Sequence, residues 1–154
     1  MKIDSVPAVV TGGASGLGKA CAEMLCALGA RVIIADIDED AGRRIARKTG
    51  AEFMRTDVRN VSDVEALFDH IGANDPVRIL VTCAGVAPKL SMTGENGPFC
   101  MDAFRYVLET NLSGTILPIS RFVDRLKDVE PLDEETGVII TSSSIAAFDG
   151  QSGH

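Results

Sequence analysis

Three glycines spaced Gly12-x-x-x-Gly16-x-Gly18 follow directly on an apolar run, Val6-Pro7-Ala8-Val9-Val10. A turn of this composition lets main chain approach a ligand closely, because no Cβ stands in the way. A helix starting there aims its free N–H groups and the positive end of its dipole at the same point, which suits an anion. The pyrophosphate of a dinucleotide is the usual guest of such a strand–turn–helix. A carboxylate closes the next apolar run, Arg31-Val32-Ile33-Ile34-Ala35-Asp36. Its place about 20 residues after the turn is that of an acid that bonds the adenosine ribose hydroxyls. Plain turns and caps also collect glycine, so the intervening residues matter. Leu17, Ala20, Cys21, Met24, Leu25 and Leu28 recur at helical spacing and predict an apolar face, with Gly29 as a C-terminal cap.

The remaining elements must position this turn. Asp38-Glu39-Asp40 opens a helix that closes on Arg43, Arg44, Arg47 and Lys48, acid first and base last as the macrodipole favours, and Gly50 ends it. Residues 51–56 read as a short strand, followed by Asp57-Val58. Ser62 and Glu65 are spaced as a capping box for a helix with apolar Val64, Leu67, Phe68 and Ile71. After the turn Asn74-Asp75-Pro76, residues 77–82 form a fourth strand apolar enough for burial on both faces. This alternation predicts an α/β fold, a doubly wound parallel sheet with right-handed crossovers. Residues 86–98 form a long loop with a functional air. A helical region covers 99–128, with Pro118 expected to kink or break it. Within it Asn111 stands among Val107, Leu108, Leu112 and Ile116, where an asparagine without a task is unfavourable. Past the acidic link 131–135, residues 137–144 read as a fifth strand, apolar on both faces, with no covering helix or strand after it. One incomplete domain, 1–154, is expected.

The 154 residues carry a net charge of −7 and a pI near 4.8, which argue against nucleic acid or an anionic membrane as the main partner. Four cysteines, at 21, 26, 83 and 100, and two histidines, His70 and His154, lack metal-ligand spacing. Reduced, mostly structural thiols in a cytoplasmic compartment are expected. No signal-peptide pattern or spanning run is present in the sequence.

Taken together, Thr11-Gly12-x-x-x-Gly16-x-Gly18, Asp36, Asp57-Val58, Cys83-Ala84-Gly85, Asn111 and Ser144 resemble the short-chain dehydrogenase/reductase family in order and spacing. Cys83-Ala84-Gly85-Val86-Ala87-Pro88 and Ser144-Ile145-Ala146-Ala147-Phe148-Asp149-Gly150-Gln151 look most like its 3-hydroxyacyl-CoA dehydrogenase type II branch. The resemblance implies a Rossmann fold, NAD as cofactor, and hydride transfer to or from a secondary alcohol or ketone, with an acyl-CoA or hydroxysteroid substrate. It implies that Gly12, Ser15, Gly16, Leu17 and Gly18 wrap the pyrophosphate. Asp36 would bond the ribose with Ile37 beside the adenine, and Asp57 and Val58 would contact the adenine ring. Cys83, Ala84 and Gly85 would line the nicotinamide-side ribose, although a cysteine replaces the usual asparagine. Asn111 would kink its helix and hold a relay water. Ser144 would hydrogen-bond the substrate oxygen, leaving Ser142 and Ser143 as strand-end hydrogen bonders.

The family's acid/base tyrosine and its lysine have no counterpart here. Tyr106, the one tyrosine, lies upstream on a helix, and the matching positions fall beyond His154. These 154 residues alone are therefore expected to be inactive. Two rival readings remain open: a catalytically silent NAD-binding module, and a fragment whose long helices dock on a second copy as a homo-oligomer.

Overall fold

The computed structural model describes residues 1–71, 75–90, 92 and 99–151. Asn74, most of the expected 86–98 loop and His154 lie outside them. Five parallel strands form one sheet: β1 (Pro7–Thr11), β2 (Arg31–Asp36), β3 (Glu52–Arg55), β4 (Ile79–Thr82) and β5 (Val138–Thr141), in the order β3-β2-β1-β4-β5. The doubly wound α/β expectation holds. Alternate side chains of the central strands divide between two cores, as the period of two requires. Ala8, Val10, Val32, Ile34, Ile79 and Val81 face α1 (Gly16–Ala27) and α2 (Glu39–Thr49), where Ala22, Ile45 and Ala46 meet them. Val9, Ile33 and Leu80 face α3 (Val61–His70) and α5 (Gly114–Leu126), against Val64, Leu67, Phe68, Phe122 and Leu126. β1 pairs with β2 on one side and β4 on the other, so the strand order reverses beside β1.

Several local expectations change. On α1 the buried residues are Gly18 and Ala22, while Leu17 and Met24 are 70% and 65% exposed and Ala20 is exposed. Small residues face the sheet because the helix approaches it closely: a Cβ on Gly18 would stand 2.2 Å from the Gly12 carbonyl oxygen. The expected capping box is absent. Asn60 caps α3, its Oδ1 accepting from the N–H groups of Ser62 (2.8 Å) and Asp63 (3.3 Å), and Glu65 instead pairs with Arg121. The helix begins before Ser62, so the serine lies inside it. α2 starts and stops as expected, with Asp38 accepting from the Ala41 N–H and Gly50 in the left-handed region.

The 99–128 region is α4 (Met101–Leu108), a π turn (Glu109–Ser113) and α5. Pro118 lies buried inside α5 without ending it. The irregularity sits one turn earlier, in the π turn that precedes Gly114. β5 ends at Thr141, shorter than expected, and Ile139 and Ile140 are exposed. A short helix α6 (Ala146–Asp149) follows it, where none was expected.

Candidate nucleotide-binding groove

The strand reversal beside β1 opens a crevice at the carboxyl ends of β1, β2 and β4, the place where open α/β sheets take ligands. Backbone hydrogen bonds set its walls. The Gly12 N–H donates to the Ala35 carbonyl at 2.8 Å, and the Cys83 N–H to the Thr11 carbonyl at 3.0 Å. The turn after β1 then passes against the chain leaving β4: a Cβ on Gly12 would stand 2.6 Å from the Ala84 nitrogen. Gly12 (φ +67°) and Gly16 (φ +50°) both adopt the left-handed region. Their surroundings differ. A Cβ on Gly16 would meet nothing within 4 Å, and Gly16 lines the groove.

Ser15 precedes α1 but makes no side-chain cap, and the first turn holds no acidic residue. By contrast, α2 and α3 are capped by Asp38 and Asn60. The opening N–H groups of α1 thus remain available to an anion at the groove floor. A pyrophosphate fits this cradle in charge and in shape.

Across the turn, Asp36 Oδ2 accepts from the Ala14 N–H at 2.9 Å and Oδ1 from the Asp38 N–H at 3.0 Å. One carboxylate therefore ties the glycine turn to the end of β2, and its remaining lone pairs face the groove it lines with Ile37. Asp57 and Val58 line the same end. Asp57 Oδ1 accepts from the Arg59 N–H at 3.0 Å, and the Arg59 guanidinium grips both carboxylate oxygens, with Nη2 to Oδ2 at 2.6 Å. That grip holds the Asp57 carboxyl below the usual carboxylate range, against an opposing effect of burial. Val58 is buried, and its side chain packs where a Cβ on Gly114 would go.

Cys83, Ala84 and Gly85 form the opposite wall. Burial pushes the Cys83 thiol up, so it stays protonated at neutral pH, and a contact with Ser142 only partly offsets this. A thiol offers weaker hydrogen bonds than an amide, and here it acts as half-buried packing.

Every cofactor-site candidate read from the sequence, from Gly12 to Gly85, lines this one groove. Asn111 and Ser144 do not. Asn111 lies in the π turn and joins the backbone of Val86, which does line the groove. The Ser144 oxygen accepts from the Ala146 N–H at 3.2 Å at the start of α6, and its own proton has no acceptor among the described residues. Ser142 donates to the Thr82 carbonyl at 2.9 Å, the strand-end role expected of it.

The sequence profile for short chain dehydrogenases matches residues 7–154. The chain belongs to the short-chain dehydrogenase/reductase family. Within the family, it is similar to the 3-hydroxyacyl-CoA dehydrogenase type-2 of Drosophila melanogaster, 37% identical over 160 residues, covering 98% of this chain and 62% of that protein. The type-2 enzyme of Homo sapiens is 37% identical over 158 residues, covering 98% and 60%. In structure the chain is similar to 3-hydroxyacyl-CoA dehydrogenase type-2 from Mycobacterium avium, with TM-score 0.89 and 29% identity over 99% of this chain and 63% of that one. The chain thus spans about 60% of the length of the curated relatives it matches.

Ala35, Thr56, Arg59, Val86, Tyr106, Thr110 and Ser142 also line the groove, and none of them was read from the sequence as a cofactor contact. Tyr106 and Thr110 are spaced i, i+4 and share a helix face, a signal the sequence carried. Arg59 carried none. Among the described residues no group of three or more side chains could hold a metal, and no helix is long and apolar enough to cross a membrane.

Proposed function

We propose that the chain binds NAD and contributes to an oxidoreductase acting on a secondary alcohol or ketone, with a 3-hydroxyacyl thioester as the substrate class. The observation that carries this reading is the uncapped start of α1 above the open space at Gly16, with the Asp36 carboxylate across the groove. Bound NAD would supply the hydride acceptor. The turn from Gly12 to Gly18 would hold its pyrophosphate, and Asp36 its adenosine ribose.

Charge favours NAD over NADP. A 2′-phosphate would sit near Asp36, and unit charges about 4 Å apart repel by roughly 4 kcal/mol at an effective dielectric near 20. Among the described residues that line the groove Arg59 is the cation, and Asp57 already occupies it.

Ser144 supports a substrate-polarising role, since its exposed hydroxyl proton has no acceptor among the described residues and can be donated toward developing negative charge. Asn111 would act through Val86, holding the groove rim in place. No residue in 1–154 matches the family's tyrosine and lysine, so these residues alone are expected to turn over no alcohol. The substrate class rests on the names of the type-2 relatives. Calorimetric titration with NAD and NADP tests the reading; failure to bind either cofactor overturns it.

An exposed apolar row supports a second copy of the chain as partner. Met101, Phe104, Leu108, Leu112, Ile116 and Val123 follow one another along α4, the π turn and α5. Light scattering across a concentration series checks it, and a monomer at all concentrations rules it out.

A further inference from the structure

Two thiols meet behind the wall of the groove. A Cβ on Gly18 would stand 3.1 Å from the Cys83 Cβ, so α1 passes directly against Cys83. Cys21 lies three residues further along α1, on the same helix face as Gly18. The Cys83 thiol meets both the Cys21 thiol and the Ser142 hydroxyl. Both cysteines are partly buried against one core cluster, and neither is bridged. Of the two, Cys83 alone lines the groove.

We propose that Cys21 and Cys83 form a reversible disulfide that draws the groove wall toward α1 and weakens dinucleotide binding. The effect on binding rests on the NAD reading above and deepens it, whereas the bond itself is independent of that reading. Hydrogen peroxide is the oxidant. The Cys21 sulfur attacks one peroxide oxygen, the O–O bond breaks, and Cys21 becomes a sulfenic acid as one water leaves. The Cys83 sulfur then displaces the sulfenic hydroxyl and closes the S–S bond. Its proton departs with that hydroxyl as a second water, so two thiols are oxidised and one peroxide is reduced. Burial keeps Cys83 protonated and so slow toward peroxide in solution, and the proton it holds is the one the departing hydroxyl needs.

The packing makes the bond consequential. A disulfide holds its sulfurs about 2.0 Å apart, far closer than two thiols in contact. The neighbouring backbone offers no slack: a Cβ on Gly12 would stand 2.6 Å from the Ala84 nitrogen, and one on Gly18 2.2 Å from the Gly12 carbonyl oxygen. Pulling Cys83 toward α1 therefore displaces the glycine turn against which a pyrophosphate would lie.

The test uses the full chain carrying Cys26→Ala and Cys100→Ser, which leaves this pair as its two thiols. Hydrogen peroxide should remove both thiols from titration and leave the chain lighter by two hydrogens, with fragment spectra joining the Cys21 and Cys83 peptides. Calorimetric titration should then show NAD binding weakened about tenfold or more, as a displaced close-packed wall requires, and a thiol reductant should restore it. Adding Cys21→Ala should make NAD affinity indifferent to peroxide, which also controls for oxidation of the exposed Met24. Saturating NAD should shift the dithiol–disulfide balance toward the dithiol by the same factor. A Cys83 thiol that stays free while Cys21 goes on to sulfinic acid overturns the proposal, as do bonds formed between chains. So does an unchanged NAD affinity once the bond has closed. If the reduced chain binds no NAD, the NAD reading falls, and amide exchange at Gly12 and Ala84 decides the switch. Faster exchange in the disulfide form supports it, and equal rates in the two redox states overturn it.

Discussion

Asn111 and Val86, 25 residues apart in the chain, are joined by two hydrogen bonds of 2.8 Å: the Asn111 Nδ2 donates to the Val86 carbonyl, and the Val86 N–H donates to the Asn111 Oδ1. A side-chain amide thereby stands in for a strand, satisfying both backbone groups of one residue as a sheet neighbour would. The π turn carrying Asn111 gives it this reach, and the wall formed by Gly85 and Val86 depends on it. Asn111→Leu removes both bonds while keeping the branch at Cγ. Because the pair is exposed to water, the expected loss is about 1–2 kcal/mol rather than the cost of buried orphans. Hydrogen exchange at the Val86 amide should accelerate at least about tenfold. An unchanged rate there contradicts the clamp.

Asp36→Arg is expected to weaken NAD and to narrow or reverse the preference over NADP. The variant also removes the acceptor of the Ala14 N–H, and Ala14 is buried. A stability loss of about 1–2 kcal/mol should therefore accompany the change in specificity. Urea unfolding and paired titrations measure both effects. Tighter NADP binding by the unmodified chain contradicts the role given to Asp36.

Gly16→Val forces a β-branched residue to φ +50°, costing about 1–2 kcal/mol, and adds methyl groups where the proposed pyrophosphate would approach the main chain. Circular dichroism should stay native while NAD binding is lost. Retained affinity in a folded variant would remove the phosphate role from this turn.

The Asp57–Arg59 pair has a defined pH signature. The folded carboxyl is held below its ordinary value, chiefly by the guanidinium, with Arg55 adding a smaller pull. Asp63, Tyr106 and Glu109 are the other ionisable groups around the pair. A depressed folded pKa contributes stability that is fully present above the unfolded value, about 3.9, and is lost as pH falls through the folded one. Arg59→Met should therefore be less stable than the unmodified chain at pH 7, by about 1 kcal/mol or less for so exposed a pair. The gap should shrink as pH drops below about 3.9. Urea midpoints at neutral and acid pH check it, and a gap that widens on acidification would refute the assignment.

Sequence legibility followed how local the cause was. Gly12 and Gly16 could be read because their backbone conformations admit little else, and the strand alternation because both faces of β1, β2 and β4 are covered. The inner face of α1 was misread because Leu17, an apolar residue, turns toward a groove, and periodicity cannot tell a groove from a core. Asn60 and Ser62 are both good cap residues, and packing of the helix decided between them. The Arg59–Tyr106 contact joins segments that only the folded sheet brings together.

The pairing of β1 with two very different neighbours also orders events in time. Pro7 meets Arg31 of β2 after a short connection, whereas Ala8 meets Ile79 of β4 only when a far longer stretch has closed. The longer closure costs about 1 kcal/mol more in chain entropy and slows the approach. The glycine turn and Asp36 can therefore assemble early, while the wall of Ala84 and Gly85 arrives with β4. A dinucleotide that spanned both walls, as proposed, would recognise the finished crevice alone. Its effect should appear as slower unfolding with folding barely altered, which stopped-flow traces with and without NAD would reveal.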